Sequence, residues 1–338
     1  MNTHEQLVRE GRQKVRIMRA VLAIGLLLTI SKFLAYWLSR SNAVLTDAFE
    51  SIINIVAASF GLYSLSYSSR PKDEDHPYGH GKVEYLAVGL EGGLIFFAGG
   101  GMIVKSIYSI YHPEPLARLD LGLWITIGTS LVNLLLGTYL VRTGKRMHSS
   151  TLVADGHHLL SDSWSSVALV VGLVVMLLTD WWWVDILLTA LLGLYILVVG
   201  SRLVRDSLAG LMDEADFGKL EEIAEVFRKE RQERWIDIHN LRVVKYGAHI
   251  HIDAHLTLPW YDDLERSHRQ VKELERIVNS HFSNRVEFFI HTDPCRPINC
   301  PICTVTDCPN RKSEFRRRLE WDVANLSKNE PHSDPHAS

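Results

Sequence analysis

Apolar residues run along this chain in stretches long enough to cross a bilayer, which takes roughly 20 helical residues. They lie at about 17 to 38, 42 to 66, 85 to 111, 119 to 141, 152 to 179 and 182 to 208. Any one of them would suit the core of a water-soluble protein, but six in series predict a membrane bundle. The second is the most interrupted, by Asp47, Glu50, Ser51 and Asn54. After Asp213 the period changes to that of a small mixed domain. A helix is predicted over 216–232, strands over 235–245 and 249–258, a helix over 262–282 and a strand over 286–291. The order αββαβ makes a two-layer, ferredoxin-like α+β unit. The expected fold is therefore an α-helical membrane protein, a six-transmembrane-helix bundle with a C-terminal α+β cytoplasmic domain. Its segments are an N-terminal cytoplasmic stretch 1–16, the membrane domain 17–212, the αββαβ domain 213–294, a four-cysteine stretch 295–310 and a polar tail 311–338. The tail's polarity and late Pro and Ser content predict mobility.

Composition alone would have suggested a soluble protein, with 47% hydrophobic and 22% charged residues and a formal net charge of −3. Those averages exclude a disordered chain, a collagen and a nucleic-acid binder that relies on bulk positive charge. They also conceal a division. Residues 1–212 hold 33 of the 75 Asp, Glu, Lys and Arg, and the last 126 residues hold 42. Positive charge sets the orientation. Arg9, Arg12, Lys14, Arg16 and Arg19 precede the first span, Arg70, Lys72 and Lys82 follow the second, and Arg142, Lys145 and Arg146 follow the fourth. The opposite connections carry Arg40 and Arg118 but no base around Thr179 to Asp185. Both termini are expected in the cytoplasm, with Trp181, Trp182 and Trp183 at the far interface. The basic N-terminal stretch runs into a full-length span, so no cleaved signal peptide is expected.

An internal repeat supplies the chemistry. Thr46 to Asn54 in the second span parallels Ala154 to Asp162 in the fifth at a constant offset, pairing Asp47 with Asp155, Glu50 with His158 and Asn54 with Asp162. Residues four apart share a helix face. Glu50 with Asn54, and His158 with Asp162, would then present four oxygen or nitrogen donors around one point. Ionisable groups at membrane depth cost several kcal/mol unless paired, hydrated or metal-bound. Interhelical hydrogen bonding is the alternative reading, strongest for Asn54. Asp47 and Asp155, three residues before the first donor of each pair, read as supporting or helix-packing groups, and Glu91 in the third span as structural. In the connection after the second span, Asp73, His76 and His80 are spaced so that a turn could gather a carboxylate and two imidazoles on a divalent metal. A Pro- and Gly-rich turn with incidental histidines is the alternative.

With these residues the chain resembles the cation diffusion facilitator family. The likeness rests on six spans, paired motifs on spans two and five, the loop string HPYGHGK (His76 to Lys82) and a cytoplasmic domain containing HTDP (His291 to Pro294), over about residues 10 to 295. The resemblance implies a homodimeric exporter of divalent cations driven by proton influx, multi-pass in the plasma membrane (the inner membrane of a bacterium), not an enzyme. It implies a transport site of Glu50, Asn54, His158 and Asp162, and a loop site of Asp73, His76 and His80. It further implies cytoplasmic metal ligands His239, His255, His268, His291 and Asp293 that draw two domains together, and a charge pair of Lys82 and Asp213 at the dimer interface. An incidental surface pair is the alternative for the last. The sequence departs from the family's zinc members, which carry Asp or His followed by Asp on span two, where this chain has Glu50 and the neutral Asn54. Zinc remains the first choice, with Fe(II), Co(II), Ni(II) and Cd(II) open; an imidazole favours these over Mg or Ca.

Two features stand apart from the resemblance. His249, His251, Asp253 and His255 alternate on one strand face, so His249 and His251 could assist a metal site or simply face solvent. Cys295, Cys300, Cys303 and Cys308 form C-x4-C-x2-C-x4-C within fourteen residues. In the cytoplasm such thiols read as a structural zinc site before an iron-sulfur cluster or free thiols. Metal carriage by alternating access, with protons competing for the same ligands, is the expected mechanism, and no nucleic-acid partner is expected. A membrane-bound metal sensor using only the cytoplasmic sites is the rival class, but it would have no use for the intramembrane quartet. A metalloenzyme would need a motif such as HExxH, which is absent.

Overall fold

The computed structural model describes residues 3–39, 42–112, 121–179, 183–246, 249–282 and 286–333. The chain divides into two compact units, Met1–Met212 and Asp213–Ser338.

The first unit holds six long helices: α1 (Thr3–Ser39), α2 (Asn42–Ser68), α3 (Val83–Tyr111), α4 (Leu121–Arg146), α5 (Ser150–Thr179) and α6 (Trp183–Leu211). The shortest has 26 residues, about 39 Å at 1.5 Å per residue, against a hydrocarbon core of about 30 Å. Helix α1 is helical from Thr3, so the N-terminal stretch runs into the first span without a break. Among the described residues, Arg9–Leu34, Val83–Tyr111 and Ile186–Leu211 combine spanning length with sustained apolar character. Helices α2 and α5 carry the repeated polar residues.

Helix α3 packs most extensively on α6, and α4 on α5. The first pairing is built on small residues. A Cβ at Gly99 would stand 2.6 Å from Leu197 N and 2.7 Å from Gly193 O, and one at Gly92 2.8 Å from Val204 N, so backbone meets backbone along this seam. Ser207 Oγ closes it by donating to Tyr85 O (2.6 Å). The buried Glu84 at the start of α3 accepts from Ser68 (3.2 Å) at the end of α2 and from Ser149 (3.0 Å) before α5. That fixes the end of the bundle where the 69–82 loop emerges.

The second unit contains α7 (Phe217–Glu230), β1 (Asp237–Tyr246), β2 (His249–Leu258), α8 (Leu264–His281) and β3 (Val286–Pro294), the αββαβ order expected. Asp216 and Asp263 start the helices by accepting from Lys219 N (3.0 Å) and Arg266 N (2.7 Å). Strand β2 is central, antiparallel to β1 and parallel to β3. Alternation sends Ile238, Val243, Ile250, Ile252, Leu256 and Val286 into one core with Leu220, Ile223 and Phe227 of α7 and Leu274 and Val278 of α8. The opposite sheet face carries His255, His291 and the exposed Phe289.

The expected mobile tail is contradicted for residues 311–333. Leu319, Trp321 and Leu326 enter the domain core, Arg231 donates to Leu319 O (2.6 Å) and lies over the Trp321 ring, and Asn240 N donates to Lys328 O (2.6 Å). Three apolar residues widely spaced in a polar sequence give no periodic signal, yet each fills a place in the core. Residues 334–338 lie outside the described residues.

Candidate metal centres

In the membrane unit α2 and α5 bring three of the four predicted donors together. Asn54 Nδ2 donates to Asp162 Oδ2 (2.6 Å), and Asn54 Oδ1 meets His158 Nε2 (2.8 Å). His158 Nε2 is 3.9 Å from Asp162 Oδ2. The residues equated by the internal repeat, Asn54 and Asp162, are thus themselves in contact. Glu50 and Asp47 have side chains outside the described residues. Asn54, His158 and Asp155 line a cavity walled by α1, α2, α4 and α5, with Thr29, Lys32, Ser51 and Asn133 as its remaining polar lining. Asp155 is buried there.

The loop trio is also assembled. Asp73 Oδ1 accepts from His76 N (2.7 Å) and meets His76 Nδ1 (2.9 Å), while Asp73 Oδ2 is 3.3 Å from His80 Nε2. One ligand atom of each lies within 4.8 Å of the others. Gly79 adopts φ +90°, a conformation that L side chains rarely adopt, and this turns the chain back so that His80 returns to Asp73. Tyr67 packs edge-on against His80 (4.7 Å between centroids) and helps bury it. The hydrogen bond from His76 holds the Asp73 carboxyl below its usual range.

On the sheet face opposite the helices, strand register aligns His239 with His255 and His255 with His291, one histidine per strand. Asp293, two residues beyond His291, joins them. Its Oδ2 is 3.0 Å from His255 Nδ1 and 3.4 Å from His239 Nε2, and its Oδ1 is 3.4 Å from His291 Nε2. His239, His255 and Asp293 form the second trio with donor atoms within 4.8 Å. Behind His239, Nδ1 faces Asp237 Oδ2 at 3.4 Å. Asp237 in turn accepts from His332 N (2.8 Å) and meets His332 Nδ1 (2.8 Å). Burial pushes the Asp237 carboxyl up, but hydrogen bonds from His239 and His332 outweigh it and hold the group well below the usual carboxylate range. His268, on the exposed face of α8, is not brought to this cluster within one chain. His251 sits four residues from His255, about 13 Å along the strand, against Glu287 (3.4 Å) and Tyr246. The side chain of His249 lies outside the described residues.

Comparison with known proteins decides the family. The family model of the cation efflux transmembrane domain matches residues 18–212, and that of the cation efflux protein cytoplasmic domain matches residues 215–295. The chain belongs to the cation diffusion facilitator, or cation efflux, family. It is 32% identical over 276 residues to an uncharacterized transporter of Synechocystis, covering 79% of this chain and 89% of that one. It is 26% identical over 289 residues to the cation-efflux pump FieF of Salmonella typhi (84% and 94% covered) and 29% over 279 residues to FieF of Pectobacterium carotovorum (80% and 90%).

This cation efflux protein is thus an integral membrane transporter. Glu91, expected to be structural, lies beside the intramembrane donors. Glu91 on α3 is 1% exposed, with Oε2 3.8 Å from His158 Nδ1 and no hydrogen bond to either carboxylate oxygen. Lys32 of α1 was missed altogether; it is buried in the same cavity and donates to Ser51 Oγ (2.8 Å). A charge inside each apolar span was the available signal. Lys82 precedes the first residue of α3, and Asp213, at φ +57°, follows the end of α6; the two belong to different units.

Proposed function

We propose that this cation efflux protein exports a divalent transition-metal cation, zinc first, in exchange for protons and as a homodimer with both termini in the cytoplasm. The observation that carries the reading is the meeting of Asn54, His158 and Asp162 across α2 and α5, at 2.6 and 2.8 Å, with Asn54 and His158 lining a cavity inside the helix bundle. Glu50, one turn from Asn54, is the fourth donor. One imidazole with oxygen donors suits Zn(II), Fe(II), Co(II), Ni(II) or Cd(II) better than Mg or Ca.

Coupling to protons follows from the donors. The metal requires a neutral imidazole and ionised carboxylates, so protons and metal compete for His158, Asp162 and Glu50. When the pocket faces the cytoplasm, metal displaces protons; when it faces outward, protons displace metal. Asp73 with His76 and His80, and His239 with His255, His291 and Asp293, are further metal sites in this reading. The last draws two cytoplasmic domains together, with His268 and the Lys82 and Asp213 pair contributing at the dimer. Purified protein in liposomes, given a panel of cations and an imposed pH gradient, tests the whole. Metal flux should follow the gradient and be abolished in His158→Ala and Asp162→Ala. Flux that persists unchanged in both variants would refute the site.

A further inference from the structure

The transport reading leaves the four cysteines without a role. Cys300, Cys303 and Cys308 lie beyond the family's cytoplasmic domain, which ends at Cys295, and the chain from there to residue 333 is an addition to it. Before Leu319, Ile302 anchors that addition in the main core. Val305 is buried in a small separate cluster with Ile236, where Cys303, Cys295 and Cys308 make up the rest. Cys300 lies near enough to act electrostatically on Cys295. None of the four is paired in a disulfide.

The sulfurs are met by hydrogen-bond donors as well as by apolar neighbours. Cys300 Sγ accepts from Lys312 N (3.5 Å). Backbone N–H groups of Val305 and Trp260 lie near the sulfurs of Cys303 and Cys295, although burial pushes both thiols up, and the Tyr261 hydroxyl lies beside Cys308. Arg311 spreads its guanidinium across the carbonyls of Cys300 (3.1 Å), Cys303 (3.2 Å) and Val305. Thr304 and Thr306 fasten the same loop to Glu233 (2.8 and 2.7 Å). A cysteine acting only as a small hydrophobe needs no donors of this kind. N–H groups directed at sulfur, with a fixed cation close by, are what a metal thiolate requires of its surroundings.

We propose that Cys295, Cys300, Cys303 and Cys308 bind one zinc(II) ion as a tetrathiolate, and that this ion staples the C-terminal extension to the cytoplasmic domain. Four thiols release four protons to solvent as four Zn–S bonds form. The site then carries two net negative charges, one of which Arg311 offsets. Among the described residues only the loop and histidine trios place three donor atoms within 4.8 Å of one another, so binding draws the sulfurs inward. A small cluster with so little apolar area needs such a staple. Downstream of it the chain delivers Trp321 to the core and His332 to Asp237, which stands behind His239.

Full-length protein purified in detergent and stripped of loosely held ions by a mild chelating resin tests this. One zinc per chain should remain, be released by four equivalents of a thiol-specific mercurial, and persist in His239→Ala but not in C300S/C308S. In that double variant trypsin should cut at Arg316 to Arg318 at least tenfold faster. Replacement by cobalt(II) should give tetrahedral ligand-field bands with thiolate charge transfer. The proposal is overturned if four thiols of the wild-type protein react at once without releasing metal, if iron with acid-labile sulfide is found, or if the double variant keeps its zinc. Should that variant not fold, the wild-type thiol titration and metal count decide alone.

Discussion

Asn54 spends both ends of its amide on α5, donating to Asp162 and accepting from His158. In that arrangement the His158 proton sits on Nε2. Nε2 can meet a metal only when the proton moves to Nδ1, which faces Glu91 at 3.8 Å. Glu91 would then hold the imidazole in its ligating tautomer, as a carboxylate behind a metal-bound histidine does. Glu91→Gln is expected to weaken metal binding 10- to 100-fold, about 1.4 to 2.7 kcal/mol, with the His158 ring still in place; titration calorimetry on purified protein reads this directly. His158 and Asp162 were legible in sequence because ionisable side chains at membrane depth demand an explanation. Glu91 was visible too, but which way α3 turns it depends on packing. In the cytoplasmic unit the lowered Asp237 fixes a pH signature. Its folded value lies below the ordinary value of about 3.9, so its contribution to stability is complete above that value and is lost as pH falls through the folded one. Fluorescence unfolding of chelator-treated protein, reported by the buried Trp235 and Trp321, should show this acid loss. Asp237→Asn should be less stable at neutral pH and flatter on the acid side.

Helix lengths and the αββαβ order were readable because each element needs only local periodicity, 3.6 or 2 residues, to declare itself. Which elements touch was not. The α3 and α6 seam rests on Gly92 and Gly99 meeting the backbone of α6, and glycines in an apolar span look alike until the partner helix is known. Gly99→Ala places a methyl group 2.6 Å from Leu197 N, an overpacking expected to cost about 1–3 kcal/mol. Gly100→Ala, whose Cβ meets nothing within 4 Å, is the control. Thermal unfolding in detergent should lower the midpoint of the first and leave that of the second unchanged. In the sheet, the row of His239, His255 and His291 exists only through register. The bulge between His239 and Arg242 shifts the pairing along β1, and a one-residue slip would send a histidine to the helix side. The strand alternation that grouped His251 with His255 was sound about the face and silent about the distance along it.

Across the whole molecule, the C-terminal extension is where the structure departs most from expectation. Truncation after Asn310 would be silent if the tail were mobile. With Leu319, Trp321 and Leu326 in the core, truncation should unfold the cytoplasmic unit or leave it prone to aggregation. Trp321→Ala alone should cost about 3–5 kcal/mol, measurable by denaturant titration of the full chain. The sequence by itself determined the membrane bundle, the mixed domain, the repeated polar motif and the residue types able to hold a transition metal, because hydrophobic length, periodicity and the cost of buried charge are local properties. Tertiary structure decided which donors meet. Asn54 contacts its repeat partner because α2 and α5 turn those faces together, His239 reaches Asp293 because two strand pairings align them, and the polar tail is held because three dispersed apolar side chains find places in one core. Each of these depends on contacts between residues far apart in the chain, which no local pattern records.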